Sequence, residues 1–344
     1  ITQAEGVPGV SKRLRGRSFY VSMISEMLSK KIISDLDLTI ANVIFCGGGR
    51  FELLLPNTNN VRQKLLDIEK EVNEWLMKNF EGELGLIIET LELDSAELKS
   101  YGEFINVLDD KLSLAKKRKF YTLLFEDVKD FVIPIGKDFF GNEKENLKKQ
   151  KITICKSCTI SLVPKKEENQ ICKHCEEHQK IGELLPKTKA LVFAKRNINF
   201  GEDAAFLIDF DELGKVYLIS NLENLQNKIS DEEIIEVKLI NNTETKFGGF
   251  GFIGNTIPLA EEKFEINLHG EKHNFEKGAV LDFETIAYLS IGDKRLGILR
   301  MDVDYLGLIF AIGLEHEQEE AKYNPKSISR ISTLSRMFDL FFAG

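Results

Sequence analysis

Four of the five cysteines fall in two Cys-x-x-Cys pairs, Cys155 with Cys158 and Cys172 with Cys175, and thirteen residues separate the pairs. Each short loop turns two sulfurs to one side, and two such knuckles complete a tetrahedron around one divalent ion. Without a secretory signal, this spacing reads as a metal site before a disulfide framework. All four positions are filled by protein sulfur, so no place remains for an activated water, and the expected ion is a structural zinc. Lys156 and Lys173 inside the knuckles favour the thiolate form. His174 and His178 are spare ligands that a filled sulfur shell does not need. Such knuckles are self-contained, so residues 150–180 are expected to loosen on metal loss without disturbing the helices elsewhere. Cys46 stands apart at the end of an apolar run, where a small buried thiol is the ordinary explanation.

The chain has 344 residues, too many for one ordinary core, and two or three domains are expected. Its 43% apolar and 29% charged content is that of a folded protein. No apolar run approaches the roughly 18 residues that span a bilayer, and no signal peptide is present, so the expectation is a cytoplasmic protein without membrane contact. The chain opens on Ile1 rather than methionine, as a fragment or a processed chain would. With 46 Lys and Arg against 55 Asp and Glu, the formal charge is −9, which argues against a generally basic nucleic-acid coat. Two local basic clusters remain, Lys12, Arg13, Arg15 and Arg17, and the run Lys116 to Lys119. Either cluster reads as a solvated face. The first, close to glycines and a helix start, also reads as a phosphate contact.

Apolar spacing gives a helix over 17–31, a strand over 40–46, a glycine turn, a return strand over 51–55 stopped by Pro56, a helix over 60–79 and a third strand over 84–93. That order is a ferredoxin-like βαββαβ unit without its first strand, which would lie upstream of Ile1. Residues 95–120 are charged and helical. Short strands follow the cysteine segment at 190–195, 205–210, 215–220 and 234–240. The run Phe247 to Gly254 reads as a glycine-rich strand or turn, since no Lys-Ser/Thr pair follows to make a phosphate loop. A short helix covers 281–289. The stretch 296–310 begins as a strand and ends as a helix. An amphipathic helix covers 327–343, with Ile328, Ile331, Leu334, Met337, Phe338 and Phe341 on one side.

Two further features bear on chemistry. Asp302 and Asp304 are spaced by two at the end of an apolar strand, which turns both carboxylates to one side. Oxygen ligands there suit magnesium holding nucleotide phosphates; a helix N-cap in a solvated turn fits the spacing equally well. Gly47, Gly48 and Gly49 join two apolar strands. A hairpin of this kind exposes backbone amides to a ligand, and it equally serves as a plain turn with positive φ.

The segments LRGRSFY (14–20), ANVIFCGGGRFELLLP (41–56), the two cysteine pairs, and LGILRMDVDYLG followed by SISRISTLSR resemble, in the same order, the large palm-domain cyclase subunit of type III CRISPR effector complexes, closest to the Csm (III-A) type. The resemblance implies an α+β fold: ferredoxin-like palm domains of polymerase and nucleotide-cyclase type with an inserted zinc-ribbon segment. The first palm domain, lacking its first strand, would cover 1–120. A linker with the zinc-binding cysteines would cover 121–188, a β-rich connecting region 189–295, and the start of the second palm 296–344. The resemblance also implies that paired palms bind ATP with Mg or Mn and, on target-RNA binding, make cyclic oligoadenylates. Asp302 and Asp304 stand at the second palm's metal ligands, and Gly47, Gly48 and Gly49 at the degenerate nucleotide-side hairpin of the first. Implied partners are ATP, guide and target RNA, the other complex subunits, and single-stranded DNA for an HD-type nuclease domain. Neither the family's Gly-Gly-Asp-Asp hairpin nor a His-Asp pair occurs in this sequence, so this stretch alone is expected to be inactive. The alternative is a non-catalytic, zinc-stabilised scaffold that binds protein and RNA.

Overall fold

The computed structural model describes residues 9–80, 82–99, 101–121, 123, 152–164, 170–223, 225–244, 247–253, 258–268, 270–297, 305–313 and 327–343. Helix α1 (Val10–Asp35) leads into a hairpin of β1 (Val43–Gly47) and β2 (Arg50–Leu53), followed by α2 (Asn59–Phe80) and α3 (Tyr101–Lys116). The hairpin β3 (Ile152–Ile154) and β4 (Leu162–Pro164) precedes α4 (Lys173–Leu184). Strands β5 (Ala190–Ala194), β6 (Ala204–Asp209), β7 (Lys215–Ile219), β8 (Ile234–Ile240) and β9 (Gly249–Gly251) form one sheet in the order β6-β7-β5-β8-β9, antiparallel except for the β8–β9 pair. A small hairpin, β10 (Phe264–Leu268) with β11 (Glu271–Phe275), and helices α5 (Phe283–Leu289), α6 (Leu306–Ile312) and α7 (Ile328–Ala343) complete the described elements. Among the described residues no helix is long and apolar enough to cross a membrane.

Helix α2 shows why the local spacing succeeds. Val61, Leu65, Ile68, Val72 and Leu76 recur at helical intervals and are all buried. Each such burial stabilises by roughly 1.5–3 kcal/mol. Their neighbours are Phe19, Met23 and Met27 of α1, Ile181 of α4, and Leu191, Phe193, Ile208, Val216 and Leu218 of the sheet. One apolar core therefore runs through the first helices, the helix after the cysteine pairs, and the sheet. The other face of the sheet, carrying Ala190, Val192, Tyr217, Ile219, Val237 and Leu239, closes on Phe200, Leu225 and Phe247. This two-residue alternation is that of a sheet covered on both sides.

Two expectations are corrected by the fold. Residues 84–93 form no strand. A strand needs a neighbouring ladder, and this segment is instead held by side chains of the helices. The Leu86 N–H donates to Asn73 Oδ1 at 2.8 Å and Asn73 Nδ2 donates to the Leu86 carbonyl at 2.9 Å. The Ile88 N–H donates to Glu69 at 3.1 Å, and Lys111 donates to the Thr90 carbonyl at 3.0 Å. Between this segment and β2 lies a cavity of 790 Å³ lined by Phe51, Leu53, Val61, Leu86, Ile88 and Leu108 among others. The cysteine segment is also not self-contained, because α4 continues out of its second knuckle and packs along α1. The contact is close: a Cβ added to Gly16 would lie 1.7 Å from the His178 carbonyl oxygen, and one on Gly182 would lie 1.9 Å from that of Lys12. In α7, Ile331 is buried as expected, whereas Met337 is exposed.

Candidate functional site

The first knuckle sits in the β3–β4 hairpin. Its turn is closed by the Cys155 N–H donating to the Ser161 carbonyl at 2.8 Å and the Thr159 N–H donating to the Cys155 carbonyl at 2.9 Å. The second knuckle is the start of α4: Cys172 is the N-cap and Cys175 lies in the first turn, where the helix end favours thiolate. The four Sγ atoms lie within 4.8 Å of one another. Cys155 and Cys175 are 3.9 Å apart, and Cys158 and Cys172 are 3.8 Å apart. Those separations are far beyond a disulfide bond. They match the edge of about 3.8 Å expected for a tetrahedron with metal–sulfur bonds of about 2.3 Å. The quartet can therefore hold a metal ion.

The arginines of the basic cluster on α1 are not a solvated face: they are turned onto α4. Helix α1 starts at Val10, so Arg13, Arg15 and Arg17 lie inside it. Arg17 Nη2 donates to Cys175 Sγ at 3.3 Å and its Nε donates to His178 Nδ1 at 3.4 Å. Arg13 is fully buried and donates to Gln179 Oε1 at 2.5 Å. Arg15 donates to the Gly182 carbonyl at 2.8 Å. Lys156 and Lys173 are exposed. The cation that meets sulfur comes from α1, not from the knuckles. Burial, then Arg17 and His174, push the His178 imidazole down to about 3, so it is neutral and accepts from Arg17. His174 stacks on Phe80 with ring centroids 5.2 Å apart. The sequence held one clue to this clamp: Gly16 lies between two arginines four residues apart, as a close helix contact requires.

The glycine hairpin is the second candidate. Gly48 and Gly49 have φ of +60° and +80°, and Gly47 pairs with Arg50, which is the two-residue turn that demands glycine. Nothing lies within 4 Å of a Cβ placed on Gly48 or Gly49, so their backbone is open to a ligand. Arg50 fixes the hairpin through Glu52 at 2.7 Å and Asp109 of α3 at 2.6 Å, and Tyr101 donates to Glu52 at 2.7 Å. Cys46, on β1, is half-buried; burial and then Glu26 push its thiol up to about 11. The Phe45 ring on β1 meets Phe310 of α6 at 6.5 Å, and Phe310 meets Phe338 of α7 at 5.8 Å. Ile331 of α7 is buried with Tyr101 and Ile105 of α3. Helices α6 and α7 thus pack beside the hairpin. Asp302 and Asp304 lie outside the described residues.

The domain profile for Csm1 subunit domain B matches residues 7–132. A curated relative from Enterococcus italicus, CRISPR system single-strand-specific deoxyribonuclease Cas10/Csm1 (subtype III-A), is 30% identical over 342 residues, covering 96% of this chain and 38% of its own length. Over nearly its whole length the chain resembles Cas10/Csm1 of type III-A CRISPR systems, and the Csm1 domain B match lies within that stretch. It spans about two fifths of the length of the curated Csm1 relatives it matches. The fold agrees with solved Csm1 structures. A Csm1–Csm4 cassette in complex with one ATP gives a TM-score of 0.56 at 22% identity, covering 97% of this chain and 36% of the other. A cassette in complex with cA4 gives 0.56 at 20% identity, covering 98% and 38%.

Proposed function

We propose that this Csm1-type chain is the core of a subunit whose paired palm domains bind ATP with Mg or Mn and, once target RNA is bound, join it into cyclic oligoadenylates. The observation that carries the reading is the packing of α6 and α7 against the β1–β2 hairpin through Phe45, Phe310 and Phe338. In sequence, α6 starts two residues after Asp304. A nucleotide site between two palms needs both partners, the open amides of one and the carboxylates of the other, in one place. Gly47, Gly48 and Gly49 are assigned to the nucleotide, and Asp302 and Asp304 to the metal ions. When bound, those ions would offset phosphate charge and activate the attacking hydroxyl.

Supporting the palm reading, α1, the β1–β2 hairpin and α2 follow one another in the order of a ferredoxin-like unit. The solved Csm1–Csm4 cassettes with ATP and with cA4 support the substrate and product class, and Csm4 as a neighbouring subunit. The deoxyribonuclease named in the curated relatives is assigned to the whole protein, acting on single-stranded DNA. Cys155, Cys158, Cys172 and Cys175 are assigned one structural zinc, because four sulfurs within 4.8 Å of one another, two pairs of them at the tetrahedral edge length, fit that ion and leave no open position.

The test is conversion of radiolabelled ATP by the complete protein in its RNA-bound complex. Cyclic oligoadenylate is the expected product. A complex that binds target RNA and ATP yet makes none would favour the scaffold alternative, in which the chain only binds protein and RNA.

A further inference from the structure

We infer that Arg17, with Arg13 one turn before it, is the outer partner of the four-cysteine centre, and that metal binding and the docking of α1 on α4 are one linked event; the inference rests on the zinc reading above. Four thiolates around one divalent ion leave a net negative charge, and a buried charge is costly unless it is paired. Cys155, Cys172 and Cys175 are buried and only Cys158 is partly exposed, so water supplies little of the compensation. Arg17 supplies it with a donor 3.3 Å from Cys175 Sγ. Arg13 adds a second cation, fully buried on the same side of α1. Neutral His178 accepts from Arg17 Nε and so aims the guanidinium, leaving Nη2 for the sulfur.

The backbone contact is an independent observation that ties this chemistry to the fold. Gly16 sits between the two arginines and lies against the backbone of His178 and Gly182. The helices are as close as their backbones allow, which sets the reach of Arg17. Loss of the metal would leave two arginines facing an uncompensated pocket and weaken that contact. Further along the same face, α1 carries Tyr20, Met23 and Met27 into the main core, so the metal's state is felt beyond the knuckles. Arg13 and Arg17 are positioning residues here, since they would act on the metal only through its sulfurs and the helix contact.

Zinc release from the protein to excess chelator tests the inference. Arg17→Gln is expected to lose zinc at least about 10-fold faster than the wild type, as outer partners of metal ligands generally do when removed. Arg17→Lys, which keeps the charge but not the forked donor, should fall between the two. In the cobalt-loaded proteins, Arg17→Gln should shift the sulfur-to-cobalt charge-transfer band. Hydrogen exchange gives the reciprocal readout: chelation of the wild type should unprotect residues 10–20 of α1 together with 152–180. Equal release rates with an unshifted band would overturn the inference, as would unchanged exchange in α1 after chelation. Should Arg17→Gln fail to fold, the wild-type exchange experiment alone decides. A wild type that retains no zinc would instead remove the zinc reading itself.

Discussion

Gly16 of α1 and Gly182 of α4 meet backbone to backbone: a Cβ on Gly16 would lie 2.8 Å from the Gly182 nitrogen, and one on Gly182 would lie 3.0 Å from the Gly16 nitrogen. Neither clash can be relieved by turning a side chain, because the obstructing atoms are main chain. Gly16→Ala is therefore expected to destabilise the protein by about 3 kcal/mol or more, at the upper end of overpacking effects. Chemical denaturation measures it. A loss under about 1 kcal/mol would mean that the helices separate freely and that the contact is not a fixed one.

Metal analysis of the purified protein is expected to give about one zinc per molecule. Cys172→Ser should abolish retention, since a hydroxyl is a poor replacement for a thiolate. Limited proteolysis should then cut within 150–180 and also near the start of α1, because α4 is braced on that helix. Cutting confined to 150–180 would restore the view of a self-contained knuckle.

Lys30 of α1 is buried and pairs with Glu26 at 3.2 Å and with Glu236 of β8, while Lys238 of β8 reaches Glu26. Burial alone pushes the Glu26 carboxyl up, but Lys238 and then Lys30 outweigh it and hold it below 4.5. Removing Glu26 takes the carboxylate from Lys238 and leaves buried Lys30 with Glu236 alone, so Glu26→Gln should cost about 3 kcal/mol near neutral pH. A carboxyl held low in the folded state contributes stability above its unfolded value and loses it as pH falls through the folded value. The gap between wild type and Glu26→Gln should therefore be full above about pH 4.5 and close below it. Denaturation at pH 7 and in the acid range measures the gap; one that stayed constant into acid would rule out the charge explanation.

Asp302→Ala in the complete protein is expected to abolish oligoadenylate synthesis and leave RNA affinity nearly unchanged. A metal bridging triphosphate oxygens needs anionic ligands, whereas RNA is held by basic and backbone groups. Asp304→Asn separates metal binding from helix capping, since asparagine still caps. A cyclase assay with RNA-affinity controls reads both variants. Full synthesis by Asp302→Ala would make that carboxylate structural.

Local spacing was enough for α2, for β5 to β8 and for the cysteine quartet. In each, the deciding residues are near neighbours in the chain, and period or ligand spacing carries the answer. Position 84–93 misled for a non-local reason: its alternation is that of a strand, but a strand exists only where another offers a ladder, and Asn73, Glu69 and Lys111 bind its backbone instead. The arginines of α1 misled in the same way. Their charge suggested water or phosphate, yet Arg17 and its sulfur partner Cys175 are 158 positions apart. The pairs of cysteines declare a quartet able to hold a metal in the chain itself, because two short loops define the ligand set. Which cation meets those sulfurs, and which helix packs on theirs, depends on the packing of Gly16 against Gly182, and only the folded chain brings those two together.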